Sequence, residues 1–144
     1  VLNKKKINIK KNNFLRTELL RPTKIYVKEV LKLIDKNLTN GCANITGGGL
    51  ADNIKRIIPE NLVAEIDLTK INTFKIFRWL KKNNISDKEM LKTFKCGVGF
   101  CVIISPKNLD KGKNYFTKEF KPYVIGKISK GKNKVKLNGS INWI

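Results

Sequence analysis

Three consecutive glycines at the start of an amphipathic helix constrain this chain more than any other feature. The segment ITGGGLADNIKRIIP, residues 45–59, joins Gly47, Gly48 and Gly49 to a helical pattern that ends at Pro59. Glycine has no Cβ, so it permits positive φ angles and lets a ligand approach the main chain closely. The first turn of a helix also offers N–H groups to an anion. The segment therefore predicts either a phosphate or oxyanion cradle or a sharp turn without a ligand.

Two common phosphate-binding loops do not fit this spacing. A Walker loop needs a Gly-Lys-Ser/Thr sequence, and none follows the three glycines. The dinucleotide pattern needs separated glycines, whereas these three are adjacent. The meaning of the glycine turn therefore depends on the rest of the chain.

Apolar spacing along the chain alternates between the periods of helices and strands. It predicts helices over residues 22–36, 50–58, 73–82, 86–94 and 106–120. It predicts strands over residues 42–46, 62–67, 98–104, 123–128 and 134–137. This order favours an α+β fold, in which a mixed sheet is layered between helices. No strand precedes the first helix, so the sheet is expected to lack its first member.

Four of these elements carry more detailed expectations. The first helix has a broad apolar face made of Ile25, Val27, Val30, Leu31 and Ile34. Ser86 and Glu89 form a capping box, in which each side chain accepts a backbone N–H of the first turn. The strand at 98–104 is nearly all apolar, as in a strand covered on both faces. The turn at residues 130–132 predicts that the last two strands form a hairpin.

The length of the chain suits one domain, with its basic N-terminus outside the packed part. At 144 residues the chain can bury about two-thirds of its unfolded surface. Residues 1–18 are predicted to be a basic linker or a truncated domain start, and residues 19–144 the folded domain. No apolar run approaches the length of a membrane span, and the N-terminus lacks a secretion signal. The chain is expected in the cytoplasm, without a membrane partner.

The strong positive charge does not by itself predict a nucleic-acid partner. The net charge is +20, but of 31 basic residues only Arg16, Arg21, Arg56 and Arg78 are arginines. Base-reading surfaces favour the bidentate guanidinium, and this excess consists of lysine. Lysine accompanies abundant asparagine and isoleucine, all encoded by A/T-rich codons. Genomic base composition accounts for the charge as well as binding does, so no specific nucleic-acid partner is expected.

The absence of histidine excludes several kinds of chemistry. No imidazole base, Ser-His-Asp triad or histidine metal site can be built from this chain. The three cysteines, Cys42, Cys96 and Cys101, are odd in number and form no C-x-x-C pair. They support neither a disulfide framework nor a zinc knuckle and are predicted to be reduced, mostly buried thiols.

A second glycine site lies where a predicted helix gives way to a predicted strand. Residues 93–100 read TFKCGVGF and place a threonine, a cysteine and two glycines at the entrance of the strand. Backbone groups at such an entrance face the crevice in which ligands often bind. Glycine in a strand can also simply make room for a neighbouring helix. Both interpretations stay open on these residues alone.

Five segments follow one another in a characteristic order. Residues 19–34 read LLRPTKIYVKEVLKLI, and residues 45–59 contain the glycine turn. Residues 77–80 read FRWL, residues 85–99 contain EMLKTFKCGVG, and residues 124–126 read VIG. In order and spacing they resemble the aminoimidazole ribonucleotide synthetase family, also called phosphoribosylformylglycinamidine cyclo-ligase. The matching motifs are LL-x-PT-K/R-IYV, ITGGG-L-x-x-NI-x-R-x-x-P, F-x-WL, EM-x-x-TFNCG-I/V-G and V/I-IG.

The resemblance covers residues 19–137 and implies the fold and activity of the family. The family closes the imidazole ring of formylglycinamidine ribonucleotide, using ATP to activate the formyl oxygen, and releases aminoimidazole ribonucleotide, ADP and phosphate in purine biosynthesis. Its members are similar in fold to selenophosphate synthetase and thiamine-monophosphate kinase and have two domains. The N-terminal domain holds most of the ATP and Mg²⁺ contacts and most of the homodimer interface. This chain resembles the C-terminal domain without its opening strand, and alone it is expected to be inactive.

The residues that the resemblance implies for substrate binding form two groups, and none is assigned a catalytic role. The first combines the glycine turn with one hydroxyl and is expected to bind the substrate's phosphate or ribose: Thr46, Gly47, Gly48 and Gly49. The second is expected to line the opposite wall: Thr93, Cys96 and Gly97. No metal site is predicted, because the carboxylates suit helix starts or solvent: Asp52, Asp67, Asp87 and Glu89. ATP and Mg²⁺ are therefore expected mainly on the N-terminal domain.

The chain departs from the family pattern at several positions. Asn44 stands where histidine is usual before ITGGG, and Lys95 replaces the asparagine of TFNCG. Ile71, Phe74 and Phe100 replace a common tryptophan, proline and methionine. Lys95 matters most, because it puts a long cation beside the expected substrate crevice. It is expected either to pair with the ribose phosphate or to mark a sequence under weak constraint.

Three functions from different classes therefore remain. The first is the C-terminal part of the cyclo-ligase, which acts on formylglycinamidine ribonucleotide together with an N-terminal domain and as a homodimer. The second is a truncated relic of that enzyme without activity. The third is a basic module that binds nucleic acid through lysine alone, with steep salt dependence and no sequence preference.

Overall fold

A computed structural model describes all residues of the chain, Val1–Ile144. The helices are α1 (Asn13–Leu19), α2 (Val27–Asp35), α3 (Gly49–Lys55), α4 (Lys75–Lys82), α5 (Asp87–Thr93) and α6 (Leu109–Lys113). The strands are β1 (Gly41–Asn44), β2 (Leu62–Asp67), β3 (Phe100–Ile103), β4 (Gly126–Lys130) and β5 (Val135–Asn138). Short 3-10 turns occur at Ile9–Lys11, Leu68–Lys70, Pro106–Asn108 and Lys118–Phe120. The α+β class is confirmed.

The strands form two sheets. β1 and β3 make an antiparallel pair, with Gly41 opposite Ile103. β2 lies in the middle of a mixed three-stranded sheet, antiparallel to β4 and parallel to β5. Each residue of β3 is only half-buried, so the expectation of a strand covered on both faces is wrong.

The predicted hairpin of the last two strands is wrong. β4 and β5 do not pair with each other, because β2 lies between them. Residues 131–134 carry the chain past the start of β2, where the Gly131 N–H donates to the Asn61 carbonyl at 3.1 Å and the Ala64 N–H donates to the Lys134 carbonyl at 2.9 Å. Local alternation marks two strands and a turn, but it carries no information about a third strand inserted between them.

Two helical regions differ from the sequence prediction. The chain before Pro22 contains α1, where the Asn12 side chain accepts the Leu15 N–H at 3.0 Å and the Leu15 side chain is fully buried. The helix predicted over residues 106–120 is broken, and only α6 is α-helical there. Gly112 in α6 lies so close to Ile104 that a Cβ would come within 2.9 Å of its Cδ1.

Helix α2 divides its apolar residues between a buried and an exposed side. It begins at Val27 rather than at Pro22, and residues 22–26 are not helical. Val30 and Leu33 are buried, whereas Val27 is 60% exposed and Leu31 and Ile34 are similarly open. At about 100° per residue the exposed trio lies roughly a quarter of a turn from the buried pair. The broad apolar face predicted for this helix is therefore covered only in part.

The core joins the two sheets to the helices around the glycine turn. It contains thirteen buried residues, among them Ile45, Met90 and Cys96, whose side chains are fully buried. α3 and α5 pack against each other above this cluster. No helix is both long and apolar enough to cross a bilayer.

Candidate functional site

The glycine turn connects β1 to α3 through residues 45–48. The backbone adopts positive φ at Gly48 (+93°) and Gly49 (+70°), which favours glycine at both positions. Gly47 does not have a positive φ, and a Cβ placed there would meet no atom within 4 Å. The three glycines are therefore not equivalent. Gly48 and Gly49 allow positive φ angles, whereas Gly47 leaves open space where a side chain would lie.

Gly49 is a packing residue as well as a turn residue. A Cβ at this position would lie 1.9 Å from the Leu91 carbonyl oxygen in α5. Real side-chain carbons do not approach a backbone oxygen that closely, so glycine is what allows α3 to pack against α5. The backbone conformation and this close packing therefore explain glycine at position 49 without a ligand.

A buried asparagine holds the glycine turn in place. The Asn53 Nδ2 group donates to the Gly49 carbonyl at 2.7 Å and to the Gly47 carbonyl at 3.3 Å, and its Oδ1 accepts the Thr46 hydroxyl at 3.2 Å. Its side chain is only 5% exposed. Asn53 was not predicted from the sequence. The available signal was a polar residue on the inward side of α3, three positions after Leu50 and directly before Ile54.

The turn leaves some main-chain donors available. The Gly49 N–H donates to the Thr46 carbonyl at 3.1 Å, so it is already used. The N–H groups of Gly47 and Gly48 donate to no group of the chain. Thr46 donates its hydroxyl proton to Asn53 and keeps its oxygen as an acceptor.

The second glycine site is a tight turn between α5 and β3. The Val98 N–H donates to the Lys95 carbonyl at 2.9 Å, and the two central residues, Cys96 and Gly97, have φ of 49° and 110°. Positive φ at both central positions is the pattern of a type I′ turn. A Cβ at Gly97 would lie 2.3 Å from the Asn72 carbonyl oxygen, so this glycine also serves packing.

A pocket lies between the two turns. Its volume is about 440 Å³. It is lined by Thr23, Asn44, Ile45, Thr46, Gly47, Phe77, Thr93, Phe94 and Lys95. The structure thus brings together three of the predicted site residues, Thr46, Gly47 and Thr93. The other four do not line it: Gly48, Gly49, Cys96 and Gly97.

The charged side chain that lines the pocket is positive, and no negative one lines it. No carboxylate lines it, and Lys95 is its one charged side chain. The nearest acid along α5, Glu89, accepts a hydrogen bond from the Thr93 hydroxyl. The reciprocal half of the predicted capping box is therefore absent, although Ser86 does accept the Glu89 N–H at 3.2 Å. The pocket suits an anion, because it offers donors and a positive charge without a competing carboxylate.

The segment before α2 forms another wall of the site. Thr23 lines the pocket, and the Tyr26 ring covers the start of β3, with its centroid 5.4 Å from that of Phe100. A Cβ at Gly99 would lie 2.1 Å from the Tyr26 hydroxyl oxygen, so glycine makes room for this ring. Thr23 was not assigned to the site from the sequence.

The buried Cys96 and the half-buried Cys101 are unsuited to act as nucleophiles. Cys96 directs its Sγ to the Met90 carbonyl at 3.3 Å. Burial, with a smaller effect from Asp87, raises the pKa of Cys96 to about 12, and burial raises the pKa of Cys101 to about 12. Because the thiolate is the reactive form, these two cysteines are structural.

We therefore expect two of the three thiols to react slowly in the native protein. At about pH 8, only about one in ten thousand of the Cys96 and Cys101 thiols is ionised. Titration with a chromogenic disulfide should give at most one fast thiol, from the half-exposed Cys42. All three should react quickly in denaturant. Fast reaction of three thiols in the native protein would contradict the assigned burial.

The carboxylates do not form a metal site with one another. Asp67 accepts from the Thr69 N–H at 3.0 Å, and Asp87 lies 2.9 Å from the Lys81 ammonium. The hydrogen bond from the Thr69 hydroxyl is the largest of the causes that lower the pKa of Asp67. No three acidic or cysteine side chains converge on one point. A Mg²⁺ ion prefers six oxygen ligands, and this donor set does not fit it.

Comparison with known proteins identifies the family. The family described as AIR synthase related protein, C-terminal domain, matches residues 2–138. The chain belongs to this family. The match to the AIR synthase C-terminal domain confirms the resemblance found in the motifs and begins before the first of them.

Similar curated proteins carry one name. The chain is 42% identical over 120 residues to a protein of Streptococcus pneumoniae serotype 4 named phosphoribosylformylglycinamidine cyclo-ligase. This alignment covers 83% of the chain and 35% of that relative. A protein of the same name from Neisseria meningitidis serogroup C is 42% identical over 97 residues, which cover 67% of the chain and 28% of the relative. The chain spans about a third of the length of the relatives it matches.

Proposed function

We propose that this chain is the C-terminal, substrate-side part of an ATP-dependent cyclo-ligase. The reaction is the conversion of formylglycinamidine ribonucleotide to aminoimidazole ribonucleotide in de novo purine biosynthesis. The observation that carries the proposal is the 42% identity, over 83% of this chain, to a protein named phosphoribosylformylglycinamidine cyclo-ligase. An acid-free pocket beside the glycine turn supports it, because the substrate is a phosphorylated riboside.

In this proposal the pocket binds the substrate through three kinds of groups. The free N–H group of Gly47 serves as a donor to phosphate or ribose oxygens. The oxygens of Thr46 and Thr93 accept hydrogen bonds from ribose hydroxyls, because both hydroxyl protons are already donated within the chain. Phe77 and Phe94 provide an apolar wall. The buried residues Asn53, Cys96, Gly49 and Gly97 keep the two turns in position rather than touch the substrate.

The proposal assigns ATP and Mg²⁺ mainly to an N-terminal domain. The carboxylates of this chain bind other side chains and do not converge, so no step that involves the metal is derived for it. The proposed partners are that domain and, in the complete enzyme, a second copy. The proposed location is the cytoplasm.

The finer architecture is also a proposal. In it, a helix-sheet-helix domain lacks its opening strand, and this strand would pair at a free edge of the β1–β3 sheet. The support is that β1 and β3 pair only with each other, which leaves one edge of each strand unpaired. Two-stranded sheets are marginal alone, so a third strand would stabilise this one.

A chimera tests the proposed function. In the S. pneumoniae relative, the matched 120 residues are replaced by the aligned residues of this chain. We expect ATP-dependent formation of aminoimidazole ribonucleotide by the chimera and none by the 144-residue chain alone. A chimera that folds, as judged by circular dichroism and a cooperative melt, but lacks activity would favour the inactive relic.

Two substitutions at Gly47 locate the activity in the pocket. Gly47 lines the pocket, and its Cβ position is open, so both Gly47→Asn and Gly47→Asp should fold. The two side chains are equal in size, but only aspartate adds a negative charge opposite a phosphate. In the chimera, we expect Gly47→Asp to raise the KM for formylglycinamidine ribonucleotide at least about tenfold more than Gly47→Asn does. Equal effects would place the phosphate elsewhere.

A further inference from the structure

Lys95 differs from the other lysines of this chain in its surroundings. It lines the pocket beside three threonines and two phenylalanines, and no acidic side chain lines that pocket. It forms none of the five ion pairs in the structure. Its ammonium group therefore forms no ion pair with a carboxylate of the chain, and the pocket that Lys95 lines is large enough for a sugar phosphate.

The backbone at Lys95 is held rigidly. Its carbonyl accepts the Val98 N–H at 2.9 Å and closes the turn through Cys96 and Gly97. Cys96 is fixed in turn by burial and by its thiol contact with the Met90 carbonyl at 3.3 Å. A cation whose main chain is fixed at a pocket wall loses less conformational freedom on binding than a lysine in a mobile loop.

The remaining polar groups of the pocket are complementary to this cation. The free N–H group of Gly47 belongs to the glycine turn that lines the same pocket, and Asn44 lines it as well. A phosphate monoester carries up to two negative charges and several acceptor oxygens, so it uses an ammonium and N–H donors together. An uncharged sugar would gain little from Lys95.

We propose that Lys95 is the phosphate-binding cation of this pocket and gives it a preference for ribose phosphates over neutral ribosides. The inference rests on the proposed function for the identity of the natural ligand. The chemistry itself needs only the pocket. It also makes the departure from the TFNCG pattern a functional change, in which a charge replaces an amide at the pocket wall.

Binding of ribose 5-phosphate to the 144-residue chain tests the inference. Titration calorimetry or NMR shifts are measured for the wild type, Lys95→Asn and Lys95→Arg. We expect Lys95→Asn to weaken the binding of ribose 5-phosphate about tenfold or more, with little change in the binding of ribose. Lys95→Arg should retain most of the affinity, because it keeps the charge.

Lys92→Asn is the matched control. Lys92 is exposed near the end of α5, three residues before Lys95, and does not line the pocket. The Lys92→Asn substitution removes the same charge from the protein as a whole. We expect it to change the affinity for ribose 5-phosphate less than about twofold. Equal losses for Lys92→Asn and Lys95→Asn would reduce the effect to general electrostatics and overturn the inference. Absence of saturable binding to the wild type would overturn it as well.

The two proposals fail in different ways. If the chimera is active and Lys95→Asn leaves its KM unchanged, the proposed function stands and the role of Lys95 is wrong. If ribose 5-phosphate binds through Lys95 and the folded chimera is inactive, the anion site stands and the cyclo-ligase function is wrong.

Discussion

Gly49→Ala is expected to remove most of the stability of the protein at 25 °C. The new Cβ would lie 1.9 Å from the Leu91 carbonyl oxygen, and the residue would keep a φ of +70° that alanine rarely adopts. Relief requires α3 to move away from α5, which opens the core at Leu50 and Met90. We expect a loss of about 4 kcal/mol or more, close to the whole stability of a small domain. Urea unfolding followed by circular dichroism measures it.

The neighbouring substitution Gly47→Ala is the control. It adds the same methyl group two residues earlier, where nothing lies within 4 Å. We expect a change of less than about 1 kcal/mol, with a small gain possible because alanine restricts the unfolded chain. Similar losses for the two variants would mean that the run acts through flexibility as a whole and not through the contact at Gly49.

Asn53→Asp is the second substitution with a large expected effect. The Nδ2 group donates to the carbonyls of Gly49 and Gly47, and aspartate would place a carboxylate oxygen against those oxygens. The site is 5% exposed, so water cannot solvate the charge. We expect a loss of about 3 kcal/mol or more at neutral pH.

The effect of Asn53→Asp should depend on pH in a defined direction. Burial and facing carbonyls favour the protonated carboxyl, so its pKa should rise in the folded state. A group with a raised folded pKa destabilises as pH increases above its unfolded value, so the loss should shrink toward about pH 4. Asn61→Asp, at an exposed position, is the control and should change stability by less than about 0.5 kcal/mol. An equal loss at both positions would remove the role assigned to Asn53.

Elements with strong local signals were predictable from the sequence. The strand at 62–67 was predicted with its observed limits, and α5 begins after Ser86, whose oxygen caps it as expected. Such features depend on spacing and on groups within one turn, which are written locally in the chain. The failures involve partners distant in sequence. β4 and β5 have the alternation of a hairpin, and only the tertiary fold shows that β2 separates them.

The position of the candidate site was predictable from the sequence, but the different roles of its residues were not. Family resemblance and glycine spacing led to both turns, yet of the three adjacent glycines only Gly47 borders the pocket. The reason is geometric: whether a glycine faces a ligand or a helix depends on what packs against it, as at Gly49 and Leu91. Asn53 was missed because its hydrogen bonds to the Gly47 and Gly49 carbonyls depend on the conformation of the glycine turn, which the spacing of apolar residues does not reveal.

The insertion of β2 between β4 and β5 also has a consequence for synthesis on the ribosome. Residues 62–67 emerge from the exit tunnel long before residues 126–138, which supply both neighbours of that strand. Until then β2 presents two unpaired edges, and its apolar side chains lack part of their cover. Native pairing is long-range, so it forms slowly and only after residues 126–138 have left the tunnel. Until that point the nascent chain keeps the edges of β2 open to pairing with other chains.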